Sequence, residues 1–157
     1  MRPYLLVDVD FTLNPDFSQA WEDPEEGKAL REAGWVVISG FTMNDRPVWL
    51  NRLHGVKLLC AAEATGAKLA WATRWHDLAN QVISPLLGLP QMPVAPCPPG
   101  PKPDSVIPWT RGRSFAWLDD EQDVIDGCNG NGVKVDPATG LTDADLEKAV
   151  ALLGRAE

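Results

Sequence analysis

Two aspartates, Asp8 and Asp10, come at the end of the apolar run 4–7 and are followed by Phe11-Thr12-Leu13. A strand that enters the core and ends in alternating acids directs both carboxylates to the same side of its sheet. Like charges roughly 4 Å apart repel by several kcal/mol at the intermediate dielectric of a protein surface. Because only a cation or a shared proton offsets this repulsion, the pair predicts a metal site or a proton-sharing pair.

Three further features carry chemistry at or just beyond predicted strand ends. Thr73 closes the apolar segment 68–73, Lys102 follows a proline-rich segment, and the pair Asp119 and Asp120 closes the segment 114–118. Each of them alone is a weak signal. In an open parallel α/β sheet, however, the carboxyl ends of the strands share one crevice in which ligands bind. Their order and placement therefore predict one shared site.

The elements that must position these residues alternate along the chain. Buried strands are predicted at 4–7, 68–73 and 114–118, with a short strand at 133–135, and the predicted helices span 23–33, 51–65, 76–87 and 142–153. Their start and stop signals include an N-cap at Asn51, a stop at Gly66 and a capping box formed by Thr142 and Asp145. Strands followed by helices favour a parallel sheet, so we expect a three-layer, Rossmann-like α/β fold.

Two segments interrupt this alternation. In residues 14–50 a polar stretch precedes two short strands, Trp35–Ile38 and Val48–Leu50, with a loop at Gly40–Asp45, which predicts a small hairpin flap. Seven of the 14 prolines lie between Pro90 and Pro103, so this segment is expected to be extended and stiff. Its Pro-x-x-Pro pattern also leaves open the docking of a partner's aromatic groove.

Length and composition bound the class of protein. The 157 residues fit a single domain, 1–157, with 14–50 as its insertion and too few residues for a large cap. No apolar stretch is as long as a membrane span, and we predict a cytoplasmic protein with no membrane partner. Three scattered cysteines show neither zinc spacing nor a disulfide framework. The oligomeric state is left open by the sequence.

The net charge of −8 opposes broad attraction to polyanions such as nucleic acid. Basic residues nevertheless concentrate in the middle of the chain, where they either converge on a phosphate or form a solvated scatter. They are Arg46, Arg52, Lys57, Arg74, Lys102, Arg111 and Arg113.

The ordered set of Asp8-x-Asp10-x-Thr12, Thr73, Lys102 and Asp119-Asp120 resembles the four motifs of the haloacid dehalogenase-like (HAD) phosphohydrolase superfamily. It departs from the superfamily at Phe11, where glycine is usual. More narrowly, several segments are similar to the small HAD domain of Swiss-Army-Knife RNA repair proteins. These segments are Trp71–Trp75, Ala79-Asn80, Leu87–Pro90, Phe115–Asp120 and Asp136–Thr142.

The resemblance implies a phosphatase mechanism. Asp8 would attack phosphorus and form an aspartyl-phosphate, and Asp10 would protonate the leaving oxygen and then deprotonate water. Lys102 would reduce the repulsion between Asp8 and the phosphoryl group, while the Thr73 hydroxyl donates to a phosphate oxygen. Thr73, Arg74 and Lys102 are accordingly the predicted substrate-binding residues.

The resemblance also implies Mg²⁺ as the cofactor. Its predicted ligands are the Asp8 carboxylate, the main-chain carbonyl of Asp10 and Asp119, with Asp120 acting through a water molecule. The implied substrate is a phosphorylated molecule, either a nucleic-acid end, a nucleotide or a small phosphoester. The alternative is a non-catalytic magnesium- or phosphate-binding module that partners a repair enzyme.

Histidines and tryptophans receive separate expectations. His54 and His76 lack metal-ligand spacing and are predicted to be surface or helix-start residues. Trp71 and Trp117 are predicted to pack in the core. Trp75 is the tryptophan proposed to stack on a base of a nucleic-acid substrate.

Overall fold

The central element is a four-stranded parallel sheet. The structure, a computed structural model, describes residues 1–43 and 46–154, with strands and helices numbered here in chain order. Neighbouring strands in the sheet are all parallel, and their order is β4-β1-β5-β6. The strands are β1 (Tyr4–Val7), β4 (Lys68–Trp71), β5 (Phe115–Asp119) and β6 (Gly132–Lys134).

Both faces of this sheet are covered. Leu5 and Val7 of β1 pack into one hydrophobic cluster, whereas Tyr4 and Leu6 pack into a second cluster. Because successive side chains of a strand point to opposite faces, the two clusters lie on opposite sides of the sheet. This arrangement confirms the predicted three-layer α/β fold class.

Helices flank the sheet. The predicted stop at Gly66 is confirmed, but the predicted N-cap at Asn51 is wrong: Arg52 is the N-cap of the helix that follows, and Asn51 Oδ1 accepts the Leu53 N–H at 3.0 Å. Asp23 accepts hydrogen bonds from the N–H groups of Glu25 and Glu26, and Thr142 and Asp145 form the reciprocal capping box. The helices are α1 (Ser18–Glu22), α2 (Pro24–Glu32), α3 (Leu53–Thr65), α4 (Ser84–Leu87, after a π-helical turn at Ala79–Ile83), α5 (Lys102–Trp109), α6 (Gln122–Gly127) and α7 (Asp143–Gly154).

The hairpin forms but is longer than predicted. Its strands β2 (Trp35–Met43) and β3 (Arg46–Asn51) are antiparallel. The predicted loop at Gly40–Asp45 is wrong over residues 40–43, because pairing resumes at Thr42 after an irregular stretch and continues the strand; residues 44 and 45 lie outside the described residues. Within the described residues no large cap is present.

Helices α1, α5 and α6 were not predicted, and α5 bears on the site. The segment before it is extended as expected, but the helix begins directly at Lys102. Pro103 lies in the first turn, where a backbone N–H has no partner within the helix, so this proline is compatible with a helix start. Proline density therefore concealed a helix that begins at Lys102, a predicted site residue.

Leu53 and Val56, which the helical spacing of the sequence places on one apolar face of α3, are not buried. Each is 53% exposed, and the buried face carries Leu58, Ala61 and Ala62 instead. Gly55 explains the rotation: a Cβ there would overlap the backbone carbonyl of Leu87, so α3 approaches α4 through its glycine side. A close approach of this kind depends on the tertiary fold, and the helical periodicity alone does not encode it.

His54 begins α3 as predicted but is buried, with 5% of its surface exposed, so its assignment to the surface is wrong. No helix within residues 1–43 and 46–154 combines the length and the apolar character needed to cross a membrane.

Candidate metal and phosphate site

Sheet order brings the predicted residues together. Asp8 follows β1, Thr73 lies two residues beyond β4, and Asp119 is the last residue of β5. Strands β4, β1 and β5 are adjacent, and the Asp8 N–H still donates to the Leu118 carbonyl at 3.1 Å. Their carboxyl ends therefore meet at one edge of the sheet.

A pocket of about 330 Å³ opens at this edge. Of the predicted site residues, only Asp119 is absent from its lining, because Asp119 lies fully buried behind it. The chemical roles assigned to these residues remain predictions. The lining consists of Asp8, Asp10, Phe11, Thr73, Arg74, Lys102, Asp120 and Glu121.

Three carboxylates form the candidate metal centre. Asp8, Asp119 and Asp120 each offer an oxygen, and these oxygens lie within 4.8 Å of one another. Hard oxygen ligands of this kind suit Mg²⁺. The pocket and Asp119 together hold five carboxylates against the two cations Arg74 and Lys102, a formal excess of three negative charges. The donor set and the charge excess both fit a divalent cation.

Lys102 is the cation closest to this centre. Its Nζ lies 3.2 Å from Asp8 Oδ1, 3.0 Å from Asp119 Oδ2 and 3.2 Å from Glu121 Oε1, and its side chain is 2% exposed. Burial alone would lower the pKa of Lys102, but the adjacent carboxylates outweigh burial and raise this pKa. Lys102 is therefore a fixed positive charge in contact with Asp8.

One ammonium does not neutralise the three aspartates. Burial, and after it the Asp119 charge, raises the pKa of Asp8 well above its usual value, although Lys102 opposes the shift. Burial also raises the pKa of Asp119, and burial together with Asp119 raises the pKa of Asp120 to about 6. A bound divalent cation would favour the ionised forms of all three groups.

Asp10 has different partners. Its side chain lies outside the group of three close carboxylates; the predicted metal contact of Asp10 is through its main-chain carbonyl and remains a prediction. The Trp75 indole Nε1 donates to Asp10 Oδ2 at 3.1 Å, and Asn14 Nδ2 donates to Asp10 Oδ1 at 3.3 Å. Each carboxylate oxygen of Asp10 thus accepts one hydrogen bond from a neutral donor.

The predictions for the three tryptophans have different outcomes. Trp75 is only 4% exposed, so the prediction that its ring stacks on a substrate base is wrong: the ring packs in the core and its N–H faces Asp10. Trp71 and Trp117 are fully buried, which confirms core packing. The Trp71 indole donates to Asn80 at 3.0 Å, whereas the Trp117 indole N–H is buried without a hydrogen-bond partner.

Thr73 and Arg74 lie in the turn after β4. The Trp75 backbone N–H donates to Thr73 Oγ1 at 3.2 Å, which leaves the Thr73 hydroxyl proton free to be donated. Arg74 donates to Glu121 at 3.3 Å and to the Gly100 carbonyl at 2.8 Å, and its side chain is partly exposed. Of the basic residues named from the middle of the chain, Arg74 and Lys102 line the pocket and the other five do not.

Phe11 lines the pocket and has a backbone conformation that is unusual for a residue other than glycine. Its φ of 60° lies in the left-handed region, where a side chain is disfavoured. The guanidinium of Arg46, from β3, lies 4.3 Å from the centre of the Phe11 ring. This cation–π contact joins the hairpin to the edge of the pocket.

Two residues of the site, Glu121 and Asn14, were not predicted from the sequence, and a third, Trp75, was predicted with another partner. Glu121 bridges Lys102 and Arg74, and its place directly after Asp119-Asp120 was a usable signal. Trp75 was noted but given the wrong partner. Asn14 had no signal in the sequence, because its contacts depend on how the hairpin folds back.

No protein-family model matches the chain, and neither does any curated protein. The fold and the site define a parallel α/β protein with a candidate acidic metal centre at the carboxyl edge of its sheet.

Proposed function

We propose that this protein is a magnesium-dependent phosphatase of the HAD type that acts through an aspartyl-phosphate on Asp8. The observation that carries the proposal is the contact of the Lys102 ammonium with both Asp8 and Asp119 beside Asp120, at the edge where Thr73 and Asp10 also lie. A nucleophilic carboxylate, a fixed cation and a set of metal ligands are the parts that phosphoryl transfer requires.

In the first step an Asp8 oxygen attacks phosphorus as the bond from phosphorus to the leaving oxygen breaks. Lys102 offsets the repulsion between the two anions, and the Thr73 hydroxyl donates to a phosphate oxygen. Asp10 gives its proton to the leaving oxygen. Asp8 then carries the phosphoryl group, and the alcohol departs.

In the second step Asp10 removes a proton from a water molecule, whose oxygen attacks phosphorus and releases inorganic phosphate from Asp8. Asp10 is thereby protonated again, and Asp8 is regenerated as a carboxylate. Mg²⁺, held by Asp8, Asp119 and Asp120 with the Asp10 carbonyl, would supply neutralisation of the phosphoryl oxygens.

The proposed substrate is a phosphate ester. It would reach the site through a cleft that no large cap covers. The hairpin reaches the site through Arg46 over Phe11 and through Asn14, whose side-chain oxygen accepts the Trp49 N–H at 2.8 Å. It would act as a flap that excludes water during transfer. A nucleic-acid end or nucleotide phosphate is proposed on the resemblance to RNA repair proteins; the net charge of −8 favours a small phosphoester.

A non-catalytic magnesium- or phosphate-binding module is the second candidate. The charge excess at the site favours cation binding under either proposal. Asp10 discriminates between them, since binding of a metal by the three close carboxylates does not need a further acid at the pocket.

The test is turnover of p-nitrophenyl phosphate with Mg²⁺ by the wild type and by the variants Asp8→Asn and Asp10→Asn. Asp143→Asn, an exposed change on α7, is the matched control and should retain wild-type turnover. We expect kcat to fall about a hundred-fold or more in both variants, because Asp8→Asn removes the nucleophile and Asp10→Asn removes the base for hydrolysis of the aspartyl-phosphate. Wild-type protein that binds Mg²⁺ by calorimetry but gives no turnover supports the module instead.

Substrate class is tested next. Oligonucleotides with a 3'- or 5'-phosphate are compared with mononucleotides and small phosphoesters at stated salt concentrations, because contacts to a nucleic-acid backbone are salt-sensitive. A preference for oligonucleotides that weakens with salt supports the nucleic-acid end. Equal kcat/KM for mononucleotides contradicts it.

A further inference from the structure

We propose that Trp75 is a positioning residue that fixes the orientation of the Asp10 carboxylate for proton transfer to the leaving group. The inference rests on the proposed phosphatase function and assigns to this buried tryptophan a part in it. The observation is the hydrogen bond from the Trp75 indole to Asp10 Oδ2 at 3.1 Å, between residues 65 positions apart.

The direction of this hydrogen bond is fixed by chemistry. An indole N–H can only donate, so Asp10 Oδ2 must accept through one of its lone pairs. The Trp75 side chain is held by the core, where it packs among the buried residues of the larger hydrophobic cluster. Because the Trp75 indole is a rigid donor, its hydrogen bond limits rotation of the Asp10 carboxylate, which lines the pocket.

Asn14 provides the second support. Its Oδ1 accepts the Trp49 backbone N–H at 2.8 Å, and because that N–H can only donate, the Asn14 amide nitrogen must face Asp10. The Asp10 oxygens are therefore held separately, Oδ1 by a residue tied to β3 and Oδ2 by a residue that follows β4. Loss of either hydrogen bond leaves one oxygen of the carboxylate without its support and allows the group to turn.

Trp75 also links two parts of the chemistry. Its backbone N–H donates to Thr73 Oγ1, while its indole N–H donates to Asp10. Trp75 thereby orients both the Thr73 hydroxyl, which is predicted to donate a hydrogen bond to the phosphate, and Asp10, the predicted general acid. Loss of the indole contact alone should misalign Asp10 and leave the backbone contact to Thr73 in place, and misplacement of a catalytic group by about 1 Å costs on the order of a hundred-fold in rate.

A purely structural role for Trp75 predicts a different result, and the leaving group separates the two. A nitrophenolate departs without needing a proton, whereas an alkoxide needs one from the general acid. The parameter kcat/KM reports only the steps through departure of the leaving group, so later hydrolysis of the aspartyl-phosphate does not affect it. A misaligned Asp10 therefore weakens turnover of alkyl phosphates selectively.

The test is Trp75→Phe, assayed for kcat/KM on p-nitrophenyl phosphate and on an alkyl phosphate of similar size, benzyl phosphate. We expect a loss of about ten-fold or more on benzyl phosphate and less than about three-fold on p-nitrophenyl phosphate. Trp117→Phe is the matched control, because it removes a buried indole whose N–H has no hydrogen-bond partner. Equal losses on the two substrates overturn the positioning role of Trp75.

A spectroscopic measurement covers the case in which Trp75→Phe does not fold. In ¹H–¹⁵N spectra, Asp10→Ala should shift the Trp75 indole resonance and speed its hydrogen exchange, while the Trp117 resonance stays in place. An unchanged Trp75 resonance overturns the inference. Absence of wild-type turnover on both phosphates refutes the proposed function itself and the positioning role with it, whereas turnover with equal losses refutes the positioning role alone.

Discussion

His54 makes the stability of this protein depend on pH in a way that can be calculated from its surroundings. Burial, and after it the positive charge of Lys57, lowers the pKa of His54 from 6.5 to about 4, opposed by a hydrogen bond with the Leu141 backbone and by Asp143. Its Nδ1 is buried without a hydrogen-bond partner. Protonation there would place an unpaired charge in the core.

The sign and the size of the effect follow from proton binding. Between pH 6.5 and 4 the unfolded chain binds a proton at His54 and the folded chain does not, so the free energy of unfolding falls as the pH falls through this window. A pKa difference of about 2.5 units corresponds to about 3 kcal/mol. The contribution is fully retained above pH 6.5 and fully lost below about pH 4.

The assay is urea unfolding of the wild type and of His54→Phe at pH 7.5 and pH 4.5. Phenylalanine keeps the edge-on ring contact with Trp35, whose ring centre lies 5.3 Å from that of His54. We expect the wild type to lose about 2 to 3 kcal/mol more than the variant between these pH values, since carboxylate titration is common to both. Fluorescence of the tryptophans reports the transition.

The control is His76→Asn, which removes the exposed histidine; asparagine tolerates the φ of 49° found there. The role of His54 in this pH dependence is refuted if His54→Phe loses as much stability as the wild type. It is refuted equally if His76→Asn, and not His54→Phe, removes the extra pH dependence.

Three further predictions concern the site and the packing of α3 against α4. Lys102→Met leaves Asp8 and its neighbours without their buried cation and should lower the free energy of unfolding by about 3 kcal/mol or more, part of which added Mg²⁺ restores. Lys57→Met removes only an exposed ion pair and should cost less than about 1 kcal/mol by the same urea titration. Asp120→Asn should weaken Mg²⁺ binding about ten-fold or more in calorimetry, and unchanged affinity would remove Asp120 from the metal site. Gly55→Ala should lower the thermal midpoint, because its Cβ would overlap the Leu87 carbonyl, whereas Gly154→Ala, with open space around it, should not.

The strand tips were predictable because they depend on local pattern. Apolar runs that end in acid at Asp8 and Asp119 show which strands are buried and where their polar ends lie. Given a parallel α/β sheet, these ends share one edge whatever the details of packing. The fold class and the meeting of these strand ends at one edge therefore followed from the sequence, whereas Glu121 in the pocket lining was missed.

The contacts that define the chemistry were decided by the tertiary structure. The Lys102 ammonium contacts Asp8, and Lys102 is the first residue of α5. The proline-rich segment before Lys102 gave no sign of this helix. The hydrogen bond from Trp75 to Asp10 joins residues that are far apart in sequence. His54 is likewise buried by residues that are distant along the chain. No local periodicity encodes such contacts, because a residue's own neighbours in the chain do not determine what packs against it.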